Sequence, residues 1–473
     1  MTGQIKKIFE IKDELDKVGK GFCLAKWYHV SMHLHTGQNH SCYHPTPHYT
    51  PLEEVKANPM ALHNTSFKKE QRKLMLEGGR PEECSYCWDI EDLPEVNGQP
   101  NISDRMLRSS EYTSRSVNLL ESTKNISWDA DVYPKYLELN FGNECQFKCS
   151  YCAPMASSKW YAETEQHGLY PMKNPVNRNQ YDLTNLKKPG QFFRHEDENP
   201  FIEAFWKWFP DAYPNLTVLR FTGGEPLLSK NVFKVMEYIR NNPKPDLEFA
   251  INSNMCVPDK QMNAFLEGMA DIKRSHKVKA VRLYTSVDSW GVQAEWIRNG
   301  MDIKKFETNL HRWMTEVPDA GFSFMITFCL LAIPNFKELL DKILEFRRTY
   351  TLQAAVNAPY AQRVTFDTPY TLEPPHLTGR IADEWFYERL DENLAYMKTL
   401  VDDNDLHKFS TVEYLKLQRT HSWIRENQYT GDELALNRKD FAIFVDEHDR
   451  RRHTDWHAAF PELKEFYEMC KKS

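Results

Sequence analysis

Three cysteines, Cys145, Cys149 and Cys152, stand close together in "NFGNECQFKCSYCAP", directly after the alternating run "KYLELN". A structural zinc site is closed by four ligands, and three thiols are one short of that. Thiolates are also the usual ligands of iron-sulfur clusters, and three of them on a [4Fe-4S] cube leave one iron open to an outside ligand. A second set is Cys23, Gly37 and Cys42 in a C-x13-G-x4-C pattern, followed by Cys84 and Cys87 in "PEECSYCWDIE". Four thiols suffice to close one centre, and their spacing alone does not select iron over zinc. His33, His35, His40, His44 and His48 lie nearby and read as surface or hydrogen-bonded core residues, because the four cysteines need no further ligand. Cys329, inside the apolar run "FMITFCLLA", reads as a small buried hydrophobe, and Cys470 in the polar tail "EMCKKS" is given no role.

Other polar residues fall at the ends of β-type runs. "FTGGEPLL" holds Gly223, Gly224 and Glu225: the glycines let backbone approach a ligand, and the carboxylate can meet an ammonium group. "NSNMC" carries Asn252, Ser253, Asn254 and Cys256; "TSVDSW" carries Ser286 and Asp288; "IRNG" carries Arg298. The first three and the Ser286 and Asp288 pair could hydrogen-bond a ribose, or could be strand-end caps and turn formers. Arg298 could sit on a helix surface as a plain cation. Cys256 could face a cavity or simply pack.

These residues need a scaffold, and the chain is long enough to build one. Its 473 residues, 41% apolar and 13% aromatic, can bury a large core and suggest two to four domains. Net charge is −7 with Lys and Arg spread throughout, so no basic stripe of the kind that binds nucleic acid is present. No apolar run is long enough to span a bilayer, and the N-terminus alternates charges without an apolar h-region, so the protein is expected to stay in the cytosol. In a reducing compartment ten cysteines point to metal or redox chemistry rather than disulfides. Six β-type runs, "KYLELN", "LTVLRFTG", "LEFAINSN", "VKAVRLYTSVD", "FSFMITFCLLA" and "LQAAVNAP", alternate with amphipathic stretches such as "NVFKVMEYIRNN" and "FKELLDKILEFRRTY". The alternation predicts parallel βαβ units in an α/β fold, a partial (β/α)6 TIM-type barrel with the cysteine loop at the C-terminal end of its first strand. Three parts are expected: residues 1–130, a small Cys-rich metal-cluster domain and linker; 131–367, the barrel; and 368–473, a helical C-terminal extension. A polar and aromatic insertion at 156–210 reads as a lid or substrate-binding piece.

The CxxxCxxC spacing resembles the fingerprint of the radical S-adenosylmethionine (SAM) superfamily, and the context agrees with it. "GGEP" at Gly223 to Pro226 resembles the superfamily motif that holds the SAM amino group, and "IRNG" resembles the motif whose arginine lies near the SAM carboxylate. The Cys23, Cys42, Cys84 and Cys87 set resembles the SPASM/twitch auxiliary-cluster module, here placed before the barrel instead of after it. The tail "DEHDRRRHTDWHAAFPEL" resembles one in poorly characterised twitch-domain members, many of them viral. The resemblance covers about residues 20 to 366. It implies a SAM-binding [4Fe-4S] cluster on Cys145, Cys149 and Cys152 and one auxiliary [4Fe-4S] cluster on the four N-terminal cysteines. SAM contacts would come from Gly223, Gly224, Glu225, Asn252, Ser253, Asn254, Ser286, Asp288 and Arg298. It implies reductive cleavage of SAM to a 5'-deoxyadenosyl radical that removes a substrate hydrogen, with electrons from a donor such as flavodoxin or ferredoxin. Cys256 would then be a candidate hydrogen donor. The expected substrate is a peptide or protein residue; a small molecule such as a sugar alcohol or nucleoside is the enzymatic alternative. A zinc-stapled binding scaffold is the non-enzymatic one.

Overall fold

The structure is a computed structural model that describes residues 3–94, 101–113, 119–188, 190–351, 363–371 and 374–473. The fold is mixed α/β, and the chain divides into two compact units.

The first unit comprises Met1–Gly142, Pro189–Phe221 and Asp246–Glu248. Its strands are β1 (His29–His33), β2 (Gln38–His40), β3 (His48–Tyr49), β4 (Tyr136–Asn140) and, after β5 of the second unit (Lys148–Cys149), β6 (Val218–Phe221). They lie in the order β6-β4-β1-β2-β3. β4 pairs in parallel with both β1 and β6, while β2 is antiparallel to β1 and β3. A strand between two parallel neighbours is covered on both faces, and β4 accordingly buries Tyr136, Leu137, Leu139 and Asn140. Helices Gly3–Val18, Ser66–Leu76 and Asp104–Thr113 surround a core that includes Leu15, Phe22, Trp27 and Met75, and Cys23, Cys42 and Cys84 pack against that core. Ser66–Leu76 starts where the Thr65 side chain accepts from Lys68 N at 3.1 Å, the cap its sequence offers.

The second unit comprises Asn143–Lys188, Thr222–Pro245 and Phe249–Ser473. β7 (Lys244–Ser253) has residues in both units; β8 (Val278–Ser286), β9 (Arg298–Asn299), β10 (Gly321–Phe328) and β11 (Val364–Thr371) belong to the second. The order is β11-β10-β8-β7, with β10 parallel to β8 and β11, and β5 forms a separate two-residue pair with β9. Helices Lys230–Asn241 and Phe336–Tyr350 fall where "NVFKVMEYIRNN" and "FKELLDKILEFRRTY" predict them, and Asp259–Arg274 and Ile303–Glu316 lie between them in the chain. Their apolar positions recur at helical spacing, as in Val232, Val235, Met236 and Ile239, and those side chains are buried. After β11 the described chain is largely helical, as expected, with Glu384–Lys398, Thr411–Glu426, Gly431–Arg452 and Lys464–Lys472.

One expectation falls outside the described residues, and two segments read as polar bury apolar side chains. The run "LQAAVNAP", residues 352–359, lies outside the described residues; the strand that follows is β11, whose Asp367 and Pro369 obscure its pattern. Among the described residues β11 is at the end of its strand order, a place that tolerates Pro. The 156–210 insertion is not one lid: residues 156–188 belong to the second unit and 190–210 to the first. Its aromatic residues fill cores, with Trp160, Tyr170, Tyr181, Phe205, Trp208 and Phe209 all buried. Cys470, read as part of a polar tail, is fully buried on the apolar side of its helix with Phe466 and Tyr467.

Candidate metal and cofactor site

The cysteine loop is held through its backbone. Cys145 N–H donates to Ser158 Oγ at 3.2 Å, and Ser157 Oγ donates to Phe147 O at 2.7 Å, so the start of helix Ser158–His167 satisfies the loop. Ser150 N–H donates to Ile297 O at 2.7 Å and Cys152 N–H to Cys149 O at 2.9 Å. Residue pairing between β5 and β9 places Cys149 opposite Arg298. Burial pushes all three thiols up, Cys145 well above the ordinary range and Cys152 to about 12. The charge of Cys149 adds to the rise at both its neighbours, which marks the three thiols as one electrostatic group.

The glycine motif is fastened to this loop. Gly223 has φ +117°, and a Cβ on Gly224 would stand 2.4 Å from Glu144 O, so that position has room only for glycine. Glu225 N–H donates to the same Glu144 carbonyl at 2.6 Å. The Glu225 carboxylate is buried, accepts from Asn254 N at 2.6 Å and from Leu227 N at 3.0 Å, and is pushed by burial to about 7 against the pull of those bonds. Asn254 Oδ1 in turn accepts from Gln146 Nε2 at 2.9 Å and Cys256 N at 3.0 Å. Ser253 Oγ accepts from Met255 N at 3.0 Å. Thus the cysteine loop, Gly224, Glu225, Ser253, Asn254 and Cys256 form one hydrogen-bonded neighbourhood. Cys256 Sγ donates to Asp302 O at 3.5 Å, and burial raises its thiol to about 12, so it stays neutral. Asn252 and Ser286 are half-buried near the ends of β7 and β8.

Arg298 and Asp288 take a different part from the one their sequence positions suggest. Arg298 is buried; its Nη1 lies 3.8 Å from Cys149 Sγ, and its guanidinium binds Asp288 at 2.8 Å and 3.0 Å. Asp288 also accepts from Tyr151 OH at 2.7 Å and from Thr327 N at 2.8 Å, at the point where the β10 and β11 register breaks. A carboxylate has about four lone-pair sites, and these donors fill them, so Asp288 holds Arg298 against Cys149 and has no acceptor left for a ribose.

The first unit gathers the other four thiols. Cys23, Cys42, Cys84 and Cys87 line a single cavity, together with His44, Tyr86, Trp88, Asp104 and Arg105. Burial raises each thiol, Cys42 to about 12, and their mutual charges add to the rise at Cys42 and Cys87. Lys26, buried beside Cys84 and ion-paired with Glu83, opposes it. His44 pairs with Asp104 at 2.5 Å and stacks on Tyr86; His33 bonds His40 at 3.1 Å, and His48 bonds Thr65 at 2.9 Å, so these histidines do have hydrogen-bonded partners.

No protein-family model, curated protein or solved structure matches this chain.

The fold gathers both thiol sets without closing either on a point. Among the described residues, no group of three or more His, Cys, Asp or Glu side chains is arranged so that it could hold a metal ion. The donor chemistry of both sets fits soft-metal or iron-sulfur ligation, with three thiols beside the Gly224 and Glu225 turn and four around the cavity. Sequence reasoning missed Tyr151, Lys26, Trp160, Glu163 and Arg452. Tyr151 was visible between Cys149 and Cys152; Arg452 lay in the quoted tail motif but with nothing local to give it a role. Among the described residues no helix is long and apolar enough to cross a membrane.

Proposed function

We propose that the protein is a radical SAM enzyme of the cytoplasm, built on a partial (β/α)6 TIM-type barrel with an auxiliary iron-sulfur domain. The observation that carries the reading is the junction of two motifs distant in sequence: the Glu225 amide and the close approach of Gly224 both meet the carbonyl of Glu144, the residue before Cys145. In this reading Cys145, Cys149 and Cys152 hold a [4Fe-4S] cluster, and Cys23, Cys42, Cys84 and Cys87 hold a second. When bound, the first cluster would supply the electron for reductive cleavage of SAM and so the 5'-deoxyadenosyl radical that takes hydrogen from a substrate.

The protein's own groups then have definable tasks. Glu225, raised to about 7 by burial, would be drawn to its ionised form by an ammonium placed beside it, and its backbone anchor keeps it at the cysteine loop. Arg298 would neutralise charge at the Cys149 thiolate, with Asp288 and Tyr151 holding its guanidinium in place. The resemblance of the motifs supports a peptide or protein residue as substrate and a flavodoxin or ferredoxin as electron donor.

Anaerobic reconstitution tests the reading: the protein should bind about eight irons per chain, four for each cluster. With dithionite and SAM it should release 5'-deoxyadenosine, and Cys149→Ala should release none. Stoichiometric zinc without iron retention would overturn the reading in favour of a stapled scaffold. Mass spectrometry of peptides and metabolites incubated with the loaded enzyme separates a peptide substrate from a small molecule.

A further inference from the structure

The long helix Gly431–Arg452 ends in three arginines, and two of them reach back to the segment that follows the cysteines. Arg452, whose side chain is fully buried, makes a two-pronged ion pair with Glu163, Nε to Oε2 at 3.0 Å and Nη2 to Oε1 at 3.2 Å. Its remaining nitrogen, Nη1, donates to Lys148 O at 2.6 Å. Glu163 also accepts from Lys148 Nζ at 2.6 Å and Tyr170 OH at 3.0 Å. The Arg452 guanidinium lies over the Trp160 ring at 4.3 Å, and Trp160 Nε1 donates to Cys149 O at 2.8 Å.

The consequence is local to one cysteine. The Lys148 carbonyl belongs to the peptide group before Cys149, and the Cys149 carbonyl to the one after it. Arg452 binds the first and Trp160 the second, while Ser150 N–H is bound by Ile297 O on the other side of that second peptide. Peptide groups are planar, so fixing the two that flank a residue fixes its φ and ψ and hence the direction of its Cα–Cβ bond. We infer that Arg452 is a positioning residue for Cys149: with Glu163 and Trp160 it sets the backbone from which the thiol is presented. The inference goes beyond the proposed activity by giving helix Gly431–Arg452 a part in the cysteine site, and only its spectroscopic test rests on that proposal.

Arg451 supplies the control. It is equally buried on the same helix, pairs with Glu447 at 2.8 Å and donates to Gly168 O and Leu169 O at 3.0 and 3.1 Å, docking the helix without touching the loop. Hydrogen exchange of the full-length protein, before any metal is added, reads the backbone directly. Arg452→Met should speed exchange of the Ser150 and Cys152 amides about tenfold or more, because a buried carboxylate and carbonyl lose their shared donor. Arg452→Lys should not restore protection, since a single ammonium cannot reproduce the fork. Arg451→Met should leave those two amides within about twofold of wild type while loosening the 168–169 turn. Should Arg452→Met fail to fold, Glu163→Gln, which keeps the side-chain volume, should give an intermediate rise at the same amides. Equal effects of Arg451→Met and Arg452→Met, or no change at Ser150 in a folded Arg452 or Glu163 variant, would overturn the inference. In reconstituted protein, Arg452→Lys should alter the electron paramagnetic resonance line shape of the reduced three-thiol centre and leave that of the four-thiol centre unchanged. An unaltered line shape would also overturn it. If neither thiol set retains iron even in wild type, the proposed function fails, and the exchange test decides the positioning role by itself.

Discussion

Glu225 and Glu144 are joined through the main chain: the amide of one donates to the carbonyl of the other across 2.6 Å, one residue before Cys145. The bond ties the turn after β6 to the loop after β4, so the backbone geometry of one depends on the other. It also makes the small size of Gly224 a requirement of the site, because that residue passes against the same carbonyl.

Gly224→Ala should therefore act on the cysteine loop. The new methyl would meet backbone atoms of Glu144 and Asn143 at 2.4 to 2.9 Å, and backbone cannot swing aside as a flexible side chain does. We expect a loss of about 1–3 kcal/mol in urea unfolding. Iron bound by reconstituted protein should fall by about four per chain. Full iron retention would show that the turn and the loop are independent.

Two substitutions separate the structural and ligand-binding duties of Glu225. Ala leaves the amides of Leu227 and Asn254 without their side-chain acceptor and should cost about 1–3 kcal/mol. Gln keeps one of the two acceptor oxygens and so preserves only one of these bonds. Calorimetric titration with SAM should show weakened binding for both variants, because both remove the negative charge. If the Gln variant binds SAM as tightly as wild type, Glu225 serves the fold alone.

Asp288→Asn should be among the most damaging single changes in the second unit, because it leaves the Arg298 guanidinium buried without its counter-charge. Unfolding should cost about 3–5 kcal/mol. Removing both charges in Asp288→Asn/Arg298→Met should be less damaging than the sum of the single changes, and denaturant midpoints of all four proteins measure the difference. Additive effects would mean the two side chains act separately.

Acid should weaken the attachment of helix Gly431–Arg452 to the loop. Burial opposes ionisation of Glu163, but Arg452 and Lys148 outweigh it and hold the carboxyl at about 2, below its ordinary value of 4.5. A carboxyl depressed in the folded state adds stability that is fully present above the unfolded value and lost as pH falls through the folded one. Stability should thus decline between about pH 4.5 and pH 2, and Glu163→Gln should show a shallower decline over that window. Thermal unfolding of both proteins across that window checks it; identical slopes would remove Glu163 from the acid response.

Local spacing in the chain determined which segments became strands and helices, and where the chemistry-bearing loops fell. "KYLELN" became β4 with the cysteine loop directly after it, and helices such as Lys230–Asn241 followed from the spacing of their apolar residues. Such periodicity records that a face will be buried, and a glycine pair records a tight turn; neither names the partner. The tertiary structure alone chose the partners. Asp288 looked like a ribose ligand because it is polar and ends a strand, yet its donors come from Tyr151, Arg298 and Thr327, brought in from three other segments. Cys470 has no role legible in its polar sequence surroundings, but the helix turns it inward. Arg452 and the Lys148 carbonyl are 304 positions apart. A hydrogen bond over that distance depends on how whole elements pack, and no local pattern encodes it.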